Sequence, residues 1–418
     1  LPRPQPPGGV EKPRPRAVAA ALTALTALAA TGLVAGPASA APYGGPCALE
    51  RTAAHHSEGL DTWNEAYPRP GKRLDAVMVF LSFPDAPPQT SPQELAADHF
   101  PATTRFFEQA SYGRFVLVPH PQTRWIQMPH ASTSYAIKRD WSAAHRSDYL
   151  RDALAAADPE TDFSKYDVVY FVADPDAPGV DSDATKVVNF DRPMRADGTD
   201  IQRVVTVFER HPPDRNVLAH ETGHVFDLPD LYHRPSDGKG DWDTYVGDWD
   251  VMGSQFGLAP DLFGWHKWKL GWLDPGQVRC VSRTGPTRLT LEPLSTGPDA
   301  RGAAFGTGDG TKLAVVRTGP SSAIAVEARG GTGNDTGTCT RGILVYRVRS
   351  DSTSGEGPVQ VLDAHPRTGA CYGESVYPPL ADAPLEVGES FTVPGEHIRI
   401  EAEDRTPSGS WNLKITTG

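Results

Sequence analysis

The segment His220-Glu221-Thr222-Gly223-His224, with Asp230 six residues further on, constrains this 418-residue chain more than any other stretch. On a helix, residues four apart share one face and lie about 6 Å apart along the axis. Two imidazoles at that spacing can hold one tetrahedral zinc ion. Asp230 can return to the same point only if the helix stops promptly. The Leu228-Pro229 step predicts such a stop, because proline disfavours helix in the residue before it. Leu218 and Val225 supply an apolar stripe, and Asp214 is placed to cap the start of a helix over 215–226.

Glu221 follows the first imidazole directly and projects off the ligand row. Zinc lowers the pKa of a water it holds from about 16 to about 7. A neighbouring carboxylate can take that water's proton and return it to a leaving amine. The five-residue motif alone also fits an amphipathic helix with two incidental histidines; the third ligand makes it more selective. Downstream, Trp249-Asp250-Val251-Met252-Gly253 reads either as ordinary core or as a turn placing Met252 beneath the metal ligands. Its spacing from the helix favours the second reading.

These residues resemble a family. His220 to Tyr232 (HETGHVFDLPDLY) and Gly247 to Gly253 (GDWDVMG) are similar to secreted metalloproteases of the immune inhibitor A type. Three further stretches agree: Val79 to Asp85, Phe106 to Phe115, and Lys267 to Leu273. The zinc segment is also similar to the much shorter snapalysin proteases. The resemblance implies a metzincin-like domain with zinc on His220, His224 and Asp230, Glu221 as general base, and Met252 in the Met-turn. The snapalysin pattern implies that Tyr232 stabilises the oxyanion, against the plain reading of a surface aromatic on a loop. One position departs. The families carry glycine three residues after the second histidine, where this chain has Asp227, a residue that enters left-handed backbone at a cost glycine avoids.

The amino-terminal region has its own texture. Lys12, Arg14 and Arg16 precede an uncharged alanine-rich run over Ala17 to Gly36, and Ala38-Ser39-Ala40 follows. Residues 1–40 therefore read as a signal peptide of a secreted protein, the alternative being an uncleaved anchor. The net charge of −12 repels nucleic acid and anionic membrane. Four cysteines, Cys47, Cys280, Cys339 and Cys371, suggest two disulfides in such a protein. Three pairings are possible. Cys47 with Cys280 and Cys339 with Cys371 is preferred here, the second because both lie in the carboxy-terminal half. A free Cys47 thiolate holding zinc latent is the sharper rival.

The expected class is α+β. A proline-rich arm or short pro-segment over 41–73 leads into a zinc metalloprotease domain over 74–278, and an all-β sandwich follows over 279–418. Strands are predicted over 76–83, 115–118, 168–172 and 204–208, and helices over 92–99, 103–110 and 141–156. Acidic loops through Asp174, Asp176, Asp181 and Asp183, and through Asp237, Asp241, Asp243 and Asp248, are candidate calcium sites without EF-hand spacing. The expectation is a monomeric zinc endopeptidase acting on proteins or peptides. Its rivals are a catalytically silent binding module, for which Asp227 is the sole support, and a zinc-dependent esterase or deacetylase.

Overall fold

Strand β1 (Arg73–Ser82) is an almost unbroken apolar run because it is covered on both faces. It belongs to a five-stranded sheet with β2 (Val116–Gln127), β3 (Val168–Ala173), β4 (Lys186–Ala196) and β5 (Thr199–Val207), in the order β2-β1-β3-β5-β4, and lies between β2 and β3. β1 runs parallel to β2 and β3, and β3 parallel to β5. β4 is the antiparallel edge. Alternation along β1 splits the core: Ala76, Met78 and Phe80 face one side, Val77, Val79 and Leu81 the other.

The first side is covered by helices α1 (Pro92–His99), α2 (Ala102–Ala110) and α4 (Val217–Val225); α3 (Ala143–Ala157) covers the second. α1 starts where Ser91 and Glu94 form a reciprocal capping box ahead of Pro92. A short helix α5 (Gly264–Lys269), not predicted from the sequence, is wholly buried. This computed structural model describes residues 45–235, 239–297 and 310–418. The predicted signal peptide and Asp237 lie outside them.

Beyond α5 the described residues are mainly β-structure, with a one-turn helix at Pro378–Ala381. One sheet has the order β11-β10-β9-β8-β6, formed by β6 (Val278–Cys280), β8 (Leu313–Arg317), β9 (Ser322–Arg329), β10 (Gly342–Arg349) and β11 (Val359–Val361). The other is β12-β13-β14-β7, formed by β7 (Gly285–Leu291), β12 (Ser390–Thr392), β13 (Ile398–Arg405) and β14 (Trp411–Thr417). They face each other across Val326, Val345, Ile400, Trp411 and Leu413. The opposite face of the first sheet, through Leu313, Val315, Ala325 and Tyr346, joins the same core as Met78 and Leu218. β6 already belongs to this sheet, so its pairing begins at Val278. Residues Gly44–Gly418 form one compact unit.

Cys47 is bonded to Cys280 and Cys339 to Cys371. The Cys47 sulfur is therefore no thiolate ligand. Residues after Cys47 run into the core, where Leu49, Leu60 and the side chains of His56, Ser57 and Glu58 are buried. No helix among the described residues is long and apolar enough to cross a membrane.

Candidate metal centre

Helix α4 is buried at all nine residues, so it is a core helix rather than the amphipathic one that Leu218 and Val225 suggested. Asp214 does not cap it. The helix begins after Asn216, which sits in left-handed backbone, while the Asp214 carboxylate accepts from Gln255 Nε2. The expected stop occurs: Phe226 ends the helix, Asp227 follows at φ 64°, and Leu228 N–H returns to the Gly223 carbonyl.

That reversal brings Asp230 back to the helix. Asp230 Oδ1 lies 3.4 Å from His220 Nε2 and 3.0 Å from His224 Nε2. One ligand atom from each of the three lies within 4.8 Å of the others. A tetrahedral site with bonds of about 2.0–2.1 Å needs donors roughly 3.3 Å apart. The outward nitrogens are fixed from behind. His220 Nδ1 is 2.8 Å from the Val251 carbonyl and His224 Nδ1 is 2.8 Å from the Leu228 carbonyl, so each Nδ1–H donates there and each Nε2 keeps its lone pair for the centre. Asp230 Oδ1 is buried with no hydrogen-bond partner. Such an orphaned acceptor is costly unless a cation meets it. Two imidazoles and a carboxylate suit zinc.

The other Asp230 oxygen accepts from Ser354 Oγ at 3.0 Å, and the same hydroxyl accepts from Asp230 N–H at 2.8 Å. Ser354 lies between β10 and β11, so the carboxy-terminal β-structure reaches the site. No sequence signal marked it.

Glu221 is buried beside the ligands. Burial raises its pKa, against the pull of the two imidazoles. Val187 N–H, at the edge of the unpredicted strand β4, donates to Glu221 Oε2 at 2.8 Å. Burial also raises the Asp230 pKa; the two imidazoles in their protonated form, the state that holds no metal, outweigh it and hold that carboxyl well below its usual range. Tyr232 stacks on His220, ring centroids 6.3 Å apart and planes 11° apart. Burial and the carboxylates of Asp230 and Glu221 push its phenol pKa well up, so it remains a hydrogen-bond donor at neutral pH.

Met252 is fully buried directly under α4. A Cβ on Gly223 would collide with its sulfur, which explains a glycine inside the motif. Below it, Asp250 accepts from Met252 N–H and from Phe263 N–H, and pairs with His266.

The amino-terminal arm supplies the remaining neighbours. His56 stacks on His224, centroids 5.7 Å apart, and His55 lines the cleft. Burial lowers the pKa of both. The double histidine was visible in the sequence, but nothing local tied it to the motif 160 residues later.

In the two acidic loops four carboxylates accept from backbone N–H groups. Asp174, Asp181 and Asp241 accept from the N–H groups of Asp176, Asp183 and Asp243, and Asp248 accepts from Leu258 and Val376. Among the described residues, His220, His224 and Asp230 form the group able to hold a metal.

No protein-family model matches the chain, and no curated protein matches it. Two crystal structures of wild-type OgpA from Akkermansia muciniphila are weakly similar. One has a TM-score of 0.27 at 11% identity, covering 72% of this chain and 96% of that one. The other has a TM-score of 0.26 at 9% identity, covering 72% and 95%. A likeness at this level carries no argument about function.

Proposed function

We propose that the chain is a secreted zinc-dependent endopeptidase with a metzincin-like catalytic region. The observation that carries this reading is the convergence on one buried Asp230 oxygen, which takes no hydrogen bond, of two imidazole nitrogens whose rings are held from behind by carbonyls. His220, His224 and Asp230 would hold the ion. A zinc ion there supplies a Lewis acid for the scissile carbonyl and acidified water at neutral pH.

The chain's own residues do the rest. Val187 N–H holds one Glu221 oxygen. The other takes no hydrogen bond from the described residues and is free to carry a proton from water to the leaving amine. Tyr232, kept protonated, donates to the oxygen that gains charge as the carbonyl is attacked. The nucleophile is water, so no acyl-enzyme forms. The cleft, about 510 Å³, is lined by these groups and is open enough for an extended chain. Two disulfides and the sequence of residues 1–40 favour an extracellular setting.

The test is Glu221→Ala. It retains stoichiometric zinc and loses peptide hydrolysis by about 10²–10⁴-fold. Retained cleavage of casein by the pure variant sinks the reading, as does activity indifferent to chelation. Asp227, the support for a silent module, adopts the left-handed backbone of the turn, which favours the active reading.

A further inference from the structure

An aromatic ladder leads from the metal centre to a group of cations. Tyr232 stacks on His220, and Trp242 stacks on Tyr232 with centroids 5.1 Å apart. The Arg139 guanidinium lies 4.7 Å from the Trp242 ring centroid, and that of Arg234 lies 6.0 Å from it. Lys186, beside the Val187 N–H that holds Glu221, turns toward the same wall: its ammonium donates to the Arg139 carbonyl at 2.6 Å. All three cations line the catalytic cleft.

Their state is unusual for an acidic chain. Lys186 is half-buried, and burial with the positive charges of Arg146 and Arg234 lowers its pKa. Among the described residues neither Lys186 nor Arg139 forms an ion pair, and Arg234 reaches only the exposed Asp140, at 3.9 Å. Positive charge gathered on one wall with a single long ion pair costs energy that an incoming anion relieves. The planar guanidiniums suit a carboxylate in two-point contact, and the Trp242 face holds one of them in place. The cleft's own carboxylates at Glu209 and Asp214 are engaged elsewhere, Glu209 accepting Asp214 N–H and Asp214 accepting Gln255.

We infer that the wall formed by Arg139, Lys186, Arg234 and Trp242 is an anion subsite, and that the enzyme selects peptides carrying a carboxylate close to the cleaved bond. This rests on the peptidase reading of the same site. Centroid steps of 6.3 and 5.1 Å along the ladder, and 4.7 Å onward to Arg139, place the charge within about five extended residues of the reacting carbonyl. The carboxylate belongs to a Glu or Asp side chain or to the substrate's own carboxy terminus.

Zinc-loaded full-length protein is given matched peptides with Glu, Gln or Lys at each position flanking the cleavage site, each amidated or with a free terminus. The same peptides are titrated calorimetrically into the Glu221→Ala protein. The expected result is at least about tenfold higher kcat/KM and tighter binding for Glu over Gln. The Glu-to-Gln ratio falls to about one in Arg139→Gln/Arg234→Gln and in 0.5 M salt. An advantage confined to unamidated peptides assigns the carboxylate to the substrate terminus. Equal cleavage and binding of Glu and Gln peptides overturns the subsite but leaves the peptidase standing. Tighter binding of Glu peptides with no cleavage by the wild type keeps the subsite and overturns the peptidase.

Discussion

Asp227 Oδ1 lies 2.9 Å from His56 Nδ1, joining the turn after the metal helix to the amino-terminal arm. Its other oxygen takes Arg51 Nη1 at 2.8 Å, and its carbonyl takes the Lys269 ammonium. Burial opposes the charge, but these partners hold the carboxyl down at about 2. Aspartate thus meets the left-handed backbone that glycine would meet more cheaply, and adds an anchor that glycine lacks. Asp227→Gly should relax the backbone yet destabilise by about 2–4 kcal/mol, because the arm's cation and imidazole lose their acceptor. Asp227→Asn, which tolerates the same backbone and still bonds His56, should lose less. Urea unfolding of both variants checks the order; a glycine variant as stable as the parent would refute the anchor.

Ser354 grips both the N–H and the carboxylate of Asp230. Ser354→Ala should leave the fold intact and weaken zinc binding by about 10–100-fold, the usual scale for a group that orients a ligand. Competition against a fluorescent chelator measures this directly. Unchanged affinity would mean that Asp230 is positioned by its turn alone.

Gly223 and Met252 are in direct opposition. Gly223→Ala should cost about 1–3 kcal/mol as the thioether is displaced from beneath the ligands. Combined with Met252→Ala, the two costs should fall short of their sum, since the second change removes the clash. Simple additivity in a thermal double-mutant cycle would contradict the contact.

Tyr232→Phe keeps the ring between His220 and Trp242 and removes only the hydroxyl. On the peptidase reading kcat should fall by about 10²-fold or more, with little change in KM or in zinc content. A rise in KM alone would reassign Tyr232 to substrate binding.

His266 is fully buried between two carboxylates, with Nε2 2.7 Å from Glu58 and Nδ1 3.0 Å from Asp250. Burial works against the imidazolium, but the two carboxylates outweigh it and raise the pKa from 6.5 to about 9. A raised folded-state pKa stabilises fully below the unfolded value and is lost on going above the folded one. Resistance to urea should therefore decline between about pH 6.5 and pH 9, and His266→Gln, less stable throughout, should show a flatter profile over that window. A wild-type profile flat from pH 6.5 to 9 would exclude a charged His266.

Much of the site was legible because it is local. The His220–His224 spacing, the stop before Pro229 and the left-handed turn at Asp227 follow from helix periodicity and backbone sterics within eleven residues, and the structure has each of them. Strands with continuous apolar runs, β1 and β3 above all, were equally plain. β4 was missed because its edge position leaves it half-exposed and mixed in composition, whereas β14, with Trp411, Leu413 and Ile415 alternating with polar residues, carried a legible strand pattern that the expectation left out. Helix α5 reads as Trp- and Lys-rich, and only burial against Glu58 and Asp261 makes those lysines core residues.

The sequence alone determined which residues can bind a metal and where their helix ends, since both depend on bonds and sterics between near neighbours. Tertiary structure decided what surrounds them: Ser354 from the β-sheets, His56 from the arm, Val187 from an edge strand and the cation wall beside Trp242. Those partners are separated from the motif by up to about 170 residues. Their approach is set by how two sheets and a buried helix share one core, which no local pattern encodes.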